Sequence, residues 1–306
     1  MWQHIELLFI IEKGIKMIDL HIHTTHSDGS MNPIEILRKA ETLGIKLLSF
    51  TDHNSVGAYA ELKNADVRQV FSGNLIHGVE FTTTVRGQVV EILGYGFDYE
   101  VIEKYIENRY GNKKDYFQQE MHLIYSTYKE RGIHLYQCEN DFSVEKYGSG
   151  KRFVFEDLVR PENEKFFKDA TNQKNMRGYL RGEIYNPESQ LYVDYTRLLP
   201  SASEIVEVIH RAGGVAFLAH CFLYTEHIWS RLDEVLFELL LDGMEVWYPA
   251  FSLAQMETLK KFCTEKKIFM SGGSDFHGQL RPEISLGNDH IEAEEISKWV
   301  NENKEK

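Results

Sequence analysis

His21 and His23 form an HxH pair in DLHIHT, and Asp275 and His277 form a DxH pair in GSDFH. Side chains alternate with period two along a strand, so each pair points to one face. Asp52 and His53 close FTDH, Glu80 closes GVE, and His220 closes VAFLAH. Strand QVVEILGY carries Glu91, and the loop after His23 carries Asp28. One HxH is an ordinary strand feature. Imidazoles and carboxylates at many successive strand ends are different, because buried unpaired carboxylates are very costly. Binding metal is the chemistry that explains them together.

The elements that must position these groups read as alternating strands and helices. MIDLHIHT (17–24) alternates apolar and polar residues as a half-buried strand does. The turn THSDGSMNP follows, with Ser30 as a helix cap and Pro33 in the first turn. Ile34, Leu37, Ala40 and Leu43 recur at helical spacing up to Gly44. IKLLSFTDH is the next strand, Ala58–Lys63 a helix, and NLIHGVEFTT and QVVEILGYGFD two more strands. After Pro200 the rhythm resumes. A helix capped by Ser201 or Ser203 precedes strand VAFLAH; then come a helix around 232–241, strand GMEVWYP, helix Ser252–Lys266 and strand IFMSGGSDFH. Such alternation predicts an α/β fold with a mainly parallel sheet or barrel, whose C-terminal strand ends share one mouth.

Between these halves the composition changes. Residues 99–199 hold 12 of the 16 tyrosines, and their 16 basic against 17 acidic residues net −1, while the whole chain is at −13. The shift predicts an inserted, mainly helical subdomain over 99–199, with barrel segments 17–98 and 200–306; Val101–Arg131 reads as one helix ending at Gly132. The acidic balance excludes a coat for long nucleic acid, which needs a basic face. It leaves room for a small anionic substrate held by cations. The three cysteines, Cys138, Cys221 and Cys263, form no CxxC pair, so a disulfide framework and a zinc ribbon are excluded and a reducing, cytoplasmic setting is expected. No apolar run reaches the ~20 residues of a membrane span. Residues 1–16 lack the basic start and cleavage site of a signal peptide, and Met17 directly precedes a strand. That stretch is a candidate dispensable extension.

In order along the chain, DLHIHTTHSDGS (19–30), FTDHNS (50–55), GVEFT (78–82), EILGY (91–95), AGGVAFLAH (212–220), GMEVWYP (243–249) and GGSDFHG (272–278) resemble the polymerase and histidinol phosphatase (PHP) family of metal-dependent phosphoesterases. The resemblance implies a distorted (β/α)7 barrel, TIM-like, with two or three divalent ions such as manganese, iron or zinc. It implies that His21, His23, Glu80 and Asp275 hold the first ion. Glu80 bridges to a second, held also by His220 and Glu91, and Asp28, His53 and His277 hold a third. Position 91 departs from the pattern, because most relatives carry histidine there. Glutamate remains a ligand and favours manganese or iron over zinc. The usual AHP reads AHC at Cys221, a change that touches loop shape more than chemistry.

The insert is similar to that of the subgroup that cleaves nucleotide phosphates or trims short oligonucleotides. The implied activity is hydrolysis of a small phosphomonoester, a nucleoside 3′,5′-bisphosphate or a short 5′-phosphorylated RNA, by a metal-activated hydroxide. A histidinol-phosphatase-like enzyme and a catalytically silent metal- or phosphate-binding module are the alternatives. Four carboxylates (Asp28, Glu80, Glu91, Asp275) against three divalent ions leave the filled site at +2, suited to a phosphate dianion. No GxSxG motif is present, and no serine or cysteine nucleophile is needed. His53 and His220 are the candidate proton donors to the leaving group. GSGKR (148–152) lacks Walker spacing, but the subgroup has a Gly-Arg motif in this region, which makes Arg152 the candidate for substrate phosphate. Its accompanying histidine is not evident in RFVFED. Asp52 is read as orienting a ligand, Glu245 as either reaching the mouth or forming a salt bridge, and His26 as a solvated loop residue. Most insert tyrosines are read as packing.

Overall fold

The computed structural model describes residues 17–302, so the extension over residues 1–16 lies outside the described residues. Seven strands form one sheet in chain order: β1 (Ile18–Asp19), β2 (Leu47–Phe50), β3 (Asn74–Val85), β4 (Gln88–Tyr95), β5 (Val215–Leu218), β6 (Gly243–Trp247) and β7 (Phe269–Gly272). Helices or longer connections return the chain between β1 and β2, β2 and β3, β5 and β6, and β6 and β7, and all four pairs are parallel. β4 runs antiparallel to both neighbours. The reversal comes from a two-residue hairpin: Val85 pairs with Gln88, and Arg86 and Gly87 both take positive φ, 50° and 76°. That is the turn geometry matching the twist of a tight antiparallel pair. The sheet edges meet, because Leu20 donates to the Gly272 carbonyl (3.2 Å), His23 to the Phe276 carbonyl (2.9 Å) and Asp275 to the His21 carbonyl (2.8 Å).

β1 is much shorter than its alternating sequence. Beyond Asp19 the backbone pairing is sparse, with Thr51 N–H on the Ile22 carbonyl at 2.8 Å, and side chains supplement it. The Thr51 hydroxyl accepts the Ile22 N–H, and Asp19 accepts the N–H groups of Ser274 and Gly287. The helix Pro33–Leu43 is capped by Asn32, which forms a reciprocal box with Glu35, not by Ser30. Ser30 instead accepts the Gln279 N–H and donates to the His277 carbonyl, tying two loops of the mouth together. Ser201 caps Ala202–Arg211 and Ser252 caps Leu253–Lys266.

Two hydrophobic cores result. The larger lies in the barrel, and the smaller joins Met121, Ile124, Tyr128, Phe153, Tyr179 and Leu191 of the insert to Val89 of β4. The segment read as one helix is two, Tyr99–Tyr110 and Lys113–Glu130, because Gly111 turns with positive φ and Asn112 caps the second. The first of them packs on the barrel core through Ile102 and Tyr105. Insert tyrosines largely pack, with Tyr128 donating to the Leu191 carbonyl at 2.7 Å.

Candidate metal centre

The residues expected to act together do meet at one mouth. Oε2 of Glu80, at the centre, lies 3.3 Å from His21 Nε2, 3.2 Å from His23 Nε2 and 3.1 Å from His53 Nδ1. Its other oxygen lies 3.0 Å from His220 Nε2, which is 3.3 Å from Glu91 Oε2. Asp275 Oδ1 sits 3.2 Å from His23 Nε2 and 3.6 Å from His21 Nε2. Asp28 Oδ1 reaches His277 Nε2 at 3.3 Å and His23 Nδ1 at 3.4 Å, while His53 Nε2 is 3.9 Å from Asp28 Oδ2.

These contacts are close, yet His21 Nε2, His23 Nε2, His53 Nδ1 and His277 Nε2 are buried and make no hydrogen bond. Of the imidazole nitrogens around Glu80, His220 Nε2 alone hydrogen-bonds to it, at 3.0 Å; the others stand beside carboxylate oxygens without a bond. Two donors about 2.1 Å from one ion, at right or tetrahedral angles, stand about 3.0–3.4 Å apart. That is the spacing found around Glu80. Four overlapping groups can each hold an ion: His23 with Asp28, His53 and His277; His21 with His23 and Asp275; His21 with Glu80 and His220; and His53 with Glu80 and Glu91. The donor set therefore fits divalent cations.

A second layer aims the donors. Glu245 is fully buried; its Oε1 accepts from His21 Nδ1 at 2.9 Å and its Oε2 from the His220 backbone N–H at 2.9 Å. Holding the proton on Nδ1 turns the Nε2 lone pair of His21 inward. His277 Nδ1 meets the Asp275 carbonyl at 2.7 Å. Asp52 lies outside the metal groups and accepts from Thr24 and Ser27, fixing the loop that carries Asp28. His26 pairs with Glu61 at the rim. The backbone carries strain at two of the candidate ligands: His220 and Asp275 have φ of 23° and 55°, a region that costs a non-glycine residue about 1–3 kcal/mol. Gly273 lies against the segment that follows β1, where a Cβ would come within 2.3 Å of His21 N.

Burial opposes charge at Glu80 and Asp275, but the surrounding imidazoles, joined at Asp275 by Arg281, hold both carboxyls well below their usual range. Burial likewise disfavours a charged His23 ring, yet Asp275, Glu80 and Asp28 raise it to about 10. For His277, burial and the neighbouring His23 act together and lower it.

Three groups carried no signal in the sequence reading. Arg181 Nη2 donates to Glu91 Oε2 at 2.7 Å, Arg281 Nη1 to Asp275 Oδ2 at 2.5 Å, and the Tyr248 hydroxyl to Asp275 Oδ2 at 2.8 Å. The one available hint was the carboxylate at position 91, since a buried acid there needs a cationic partner. Arg152 does not join the cluster. It is exposed on the helix Gly150–Leu158, and the inward base of GSGKR is Lys151, bound to Glu120 and Tyr185 at 3.0 Å each. One residue along a helix rotates the side chain by about 100°, which separates the two.

The PHP domain profile matches residues 19–173. The chain is similar to a 5′-3′ exoribonuclease of Haemophilus influenzae, 26% identical over 265 residues that cover 86% of this chain and 90% of that protein. It is also similar to a 3′,5′-nucleoside bisphosphate phosphatase of Chromobacterium violaceum, 26% identical over 274 residues, 85% of this chain and 87% of that one. Among solved structures it superposes on an amidohydrolase from Chromobacterium violaceum with bound sulfate and no metal, at a TM-score of 0.65 and 23% identity, covering 90% and 92% of the two chains. The matched profile, the sevenfold sheet and the donor cluster agree, and the chain belongs to the PHP domain family of metal-dependent phosphoesterases.

Proposed function

We propose that this chain hydrolyses a phosphomonoester on a nucleotide-sized substrate, a nucleoside 3′,5′-bisphosphate or the 5′ end of a short RNA. The observation that carries the reading is Glu80, one oxygen of which faces three imidazole nitrogens that have no hydrogen bond. Divalent cations bound there activate water and neutralise charge on phosphoryl oxygens. His21, His23, Glu80 and Asp275 are proposed to hold one of them, Glu80, His220 and Glu91 a second, and Asp28, His53 and His277 a third.

The chain's own groups then orient and protonate. Glu245 keeps His21 and the start of the His220 loop in register. Arg181 and Arg281 place positive charge on opposite carboxylates of the mouth, Glu91 and Asp275, which favours an anionic substrate. Of the two candidate proton donors, the His53 side chain is 28% exposed and that of His220 only 3%. His53 is therefore the more open of the two, and it can give a proton only while its ring holds no ion. The names of the two curated relatives support the nucleotide class. Among the described residues no helix is long and apolar enough to cross a membrane.

The test is a panel of nucleoside bisphosphates, short 5′-phosphorylated RNAs and histidinol phosphate under manganese, with metal analysis of the same samples. The proposal expects phosphate release from the nucleotide class, and a loss of about a thousandfold or more in His21→Ala and Asp275→Ala. Full turnover by both variants, or turnover of histidinol phosphate alone, contradicts it.

A further inference from the structure

Arg181 reaches the metal centre from the insert. It sits on a single wide turn, Tyr179–Ile184, where the Tyr185 N–H donates to the Leu180 carbonyl five residues back. Such turns are rare and recur at functional sites. Its Nη2 holds Glu91 Oε2 at 2.7 Å, the oxygen that also faces His220 Nε2 at 3.3 Å. Its Nη1 is buried with no hydrogen-bond partner. Tyr224 fixes both members of the pair: its hydroxyl accepts the Glu91 N–H at 2.8 Å, and the guanidinium lies over its ring, 5.6 Å from the centroid.

We propose that Arg181 is a resident cation that weakens the ion shared by Glu80, Glu91 and His220, and so makes that ion exchangeable while the others stay tight. A guanidinium on a ligand oxygen shares its lone pairs and repels a second positive charge. Together Glu91 and Arg181 carry no net charge, as a neutral imidazole would at that position. The pair thus restores charge while leaving the insert in contact with the cation site. Arg181 is a positioning residue, since it acts through Glu91. This inference rests on the reading of the mouth as a metal centre.

The test is manganese titration of the full chain by calorimetry, with metal content measured on the same samples, for the native protein, Arg181→Gln, Arg181→Met and Arg181→Lys. The expected result is a last manganese ion bound more weakly than the rest in the native chain. Removing the charge in Arg181→Gln tightens that ion by about tenfold, the scale on which outer groups tune metal affinity. Arg181→Lys keeps the charge and keeps the native affinity. Arg181→Met, apolar and of similar length, repeats the test should the glutamine variant fail to fold. An unchanged or weaker last ion in both uncharged variants overturns the proposal, as does equal tightening in Arg181→Lys. No manganese on the native chain at all overturns the underlying reading instead.

Discussion

Glu245 holds His21 from behind: its Oε1 accepts from Nδ1 at 2.9 Å, and both side chains are fully buried. Glu245 belongs to none of the candidate metal groups, yet it fixes the tautomer that points Nε2 of His21 inward. Glu245→Gln keeps the shape and loses the charge. Metal affinity should fall by about 10–100-fold, as for other outer partners of ligating histidines. Metal titration of the variant checks this, and native affinity contradicts the role.

Removal of bound ions leaves a crowd of buried acids with only imidazoles and two arginines to answer them. A ligand that binds only the folded state stabilises it by about 4 kcal/mol at a thousandfold excess over its Kd, so chelation should lower Tm by roughly ten degrees. Scanning calorimetry with and without chelator measures the shift. An unchanged Tm for a chain first shown to be manganese-loaded counts against the cluster.

With His23 as a ligand, metal binding and protons should compete there. Its ring, raised to about 10 in the metal-free chain, carries a proton at neutral pH that a cation must displace. Loading at pH 7 should therefore release protons, and affinity should fall as pH falls. In the metal-free chain the sign is opposite. A raised imidazole stabilises the fold fully below its unfolded value of about 6.5, and that contribution is lost as pH rises through about 10. The depressed carboxyls of Glu80 and Asp275 contribute above about 4, and lose that contribution as pH falls towards their lowered values. The cost of chelation should thus grow from pH 6 to pH 9. Calorimetry in buffers of different ionisation heat counts the protons, and zero release contradicts the linkage.

Gly273 is a packing test of the same site. A Cβ there would fall 2.3 Å from both N and Cβ of His21. Gly273→Ala should destabilise by about 1–3 kcal/mol, as overpacking does, and should reduce metal content as the His21 segment is pushed aside. Thermal melting and metal analysis read the two effects; a variant with native values in both shows that the segment has room to move.

The candidate donors were legible in sequence because they cluster just past strand ends: His21 and His23 follow β1, and Asp275 and His277 follow β7. The alternation expected to carry them does not hold, since both strands stop short of the pairs and Asp275 takes a φ of 55°. Arg181 needs the path of the insert, since it lies 90 residues from Glu91 on an irregular turn with no periodic signal. The choice between Lys151 and Arg152 depends on the phase of a helix that begins within GSGKR itself. The reversed strand β4 hinges on Arg86 taking positive φ beside Gly87, which an arginine does not announce. Asn32 displaced Ser30 as cap because Glu35 stands three residues on and completes the box.

The most direct measurement is metal content after manganese loading and desalting, for the native chain and for Glu80→Ala, with phosphate release from a nucleoside 3′,5′-bisphosphate read on the same samples. The account predicts about two or three ions and turnover for the native chain, with the loss of at least one ion and of nearly all turnover when Glu80 is removed. A native chain that retains no ion, or a Glu80→Ala variant with native metal content and turnover, would contradict it.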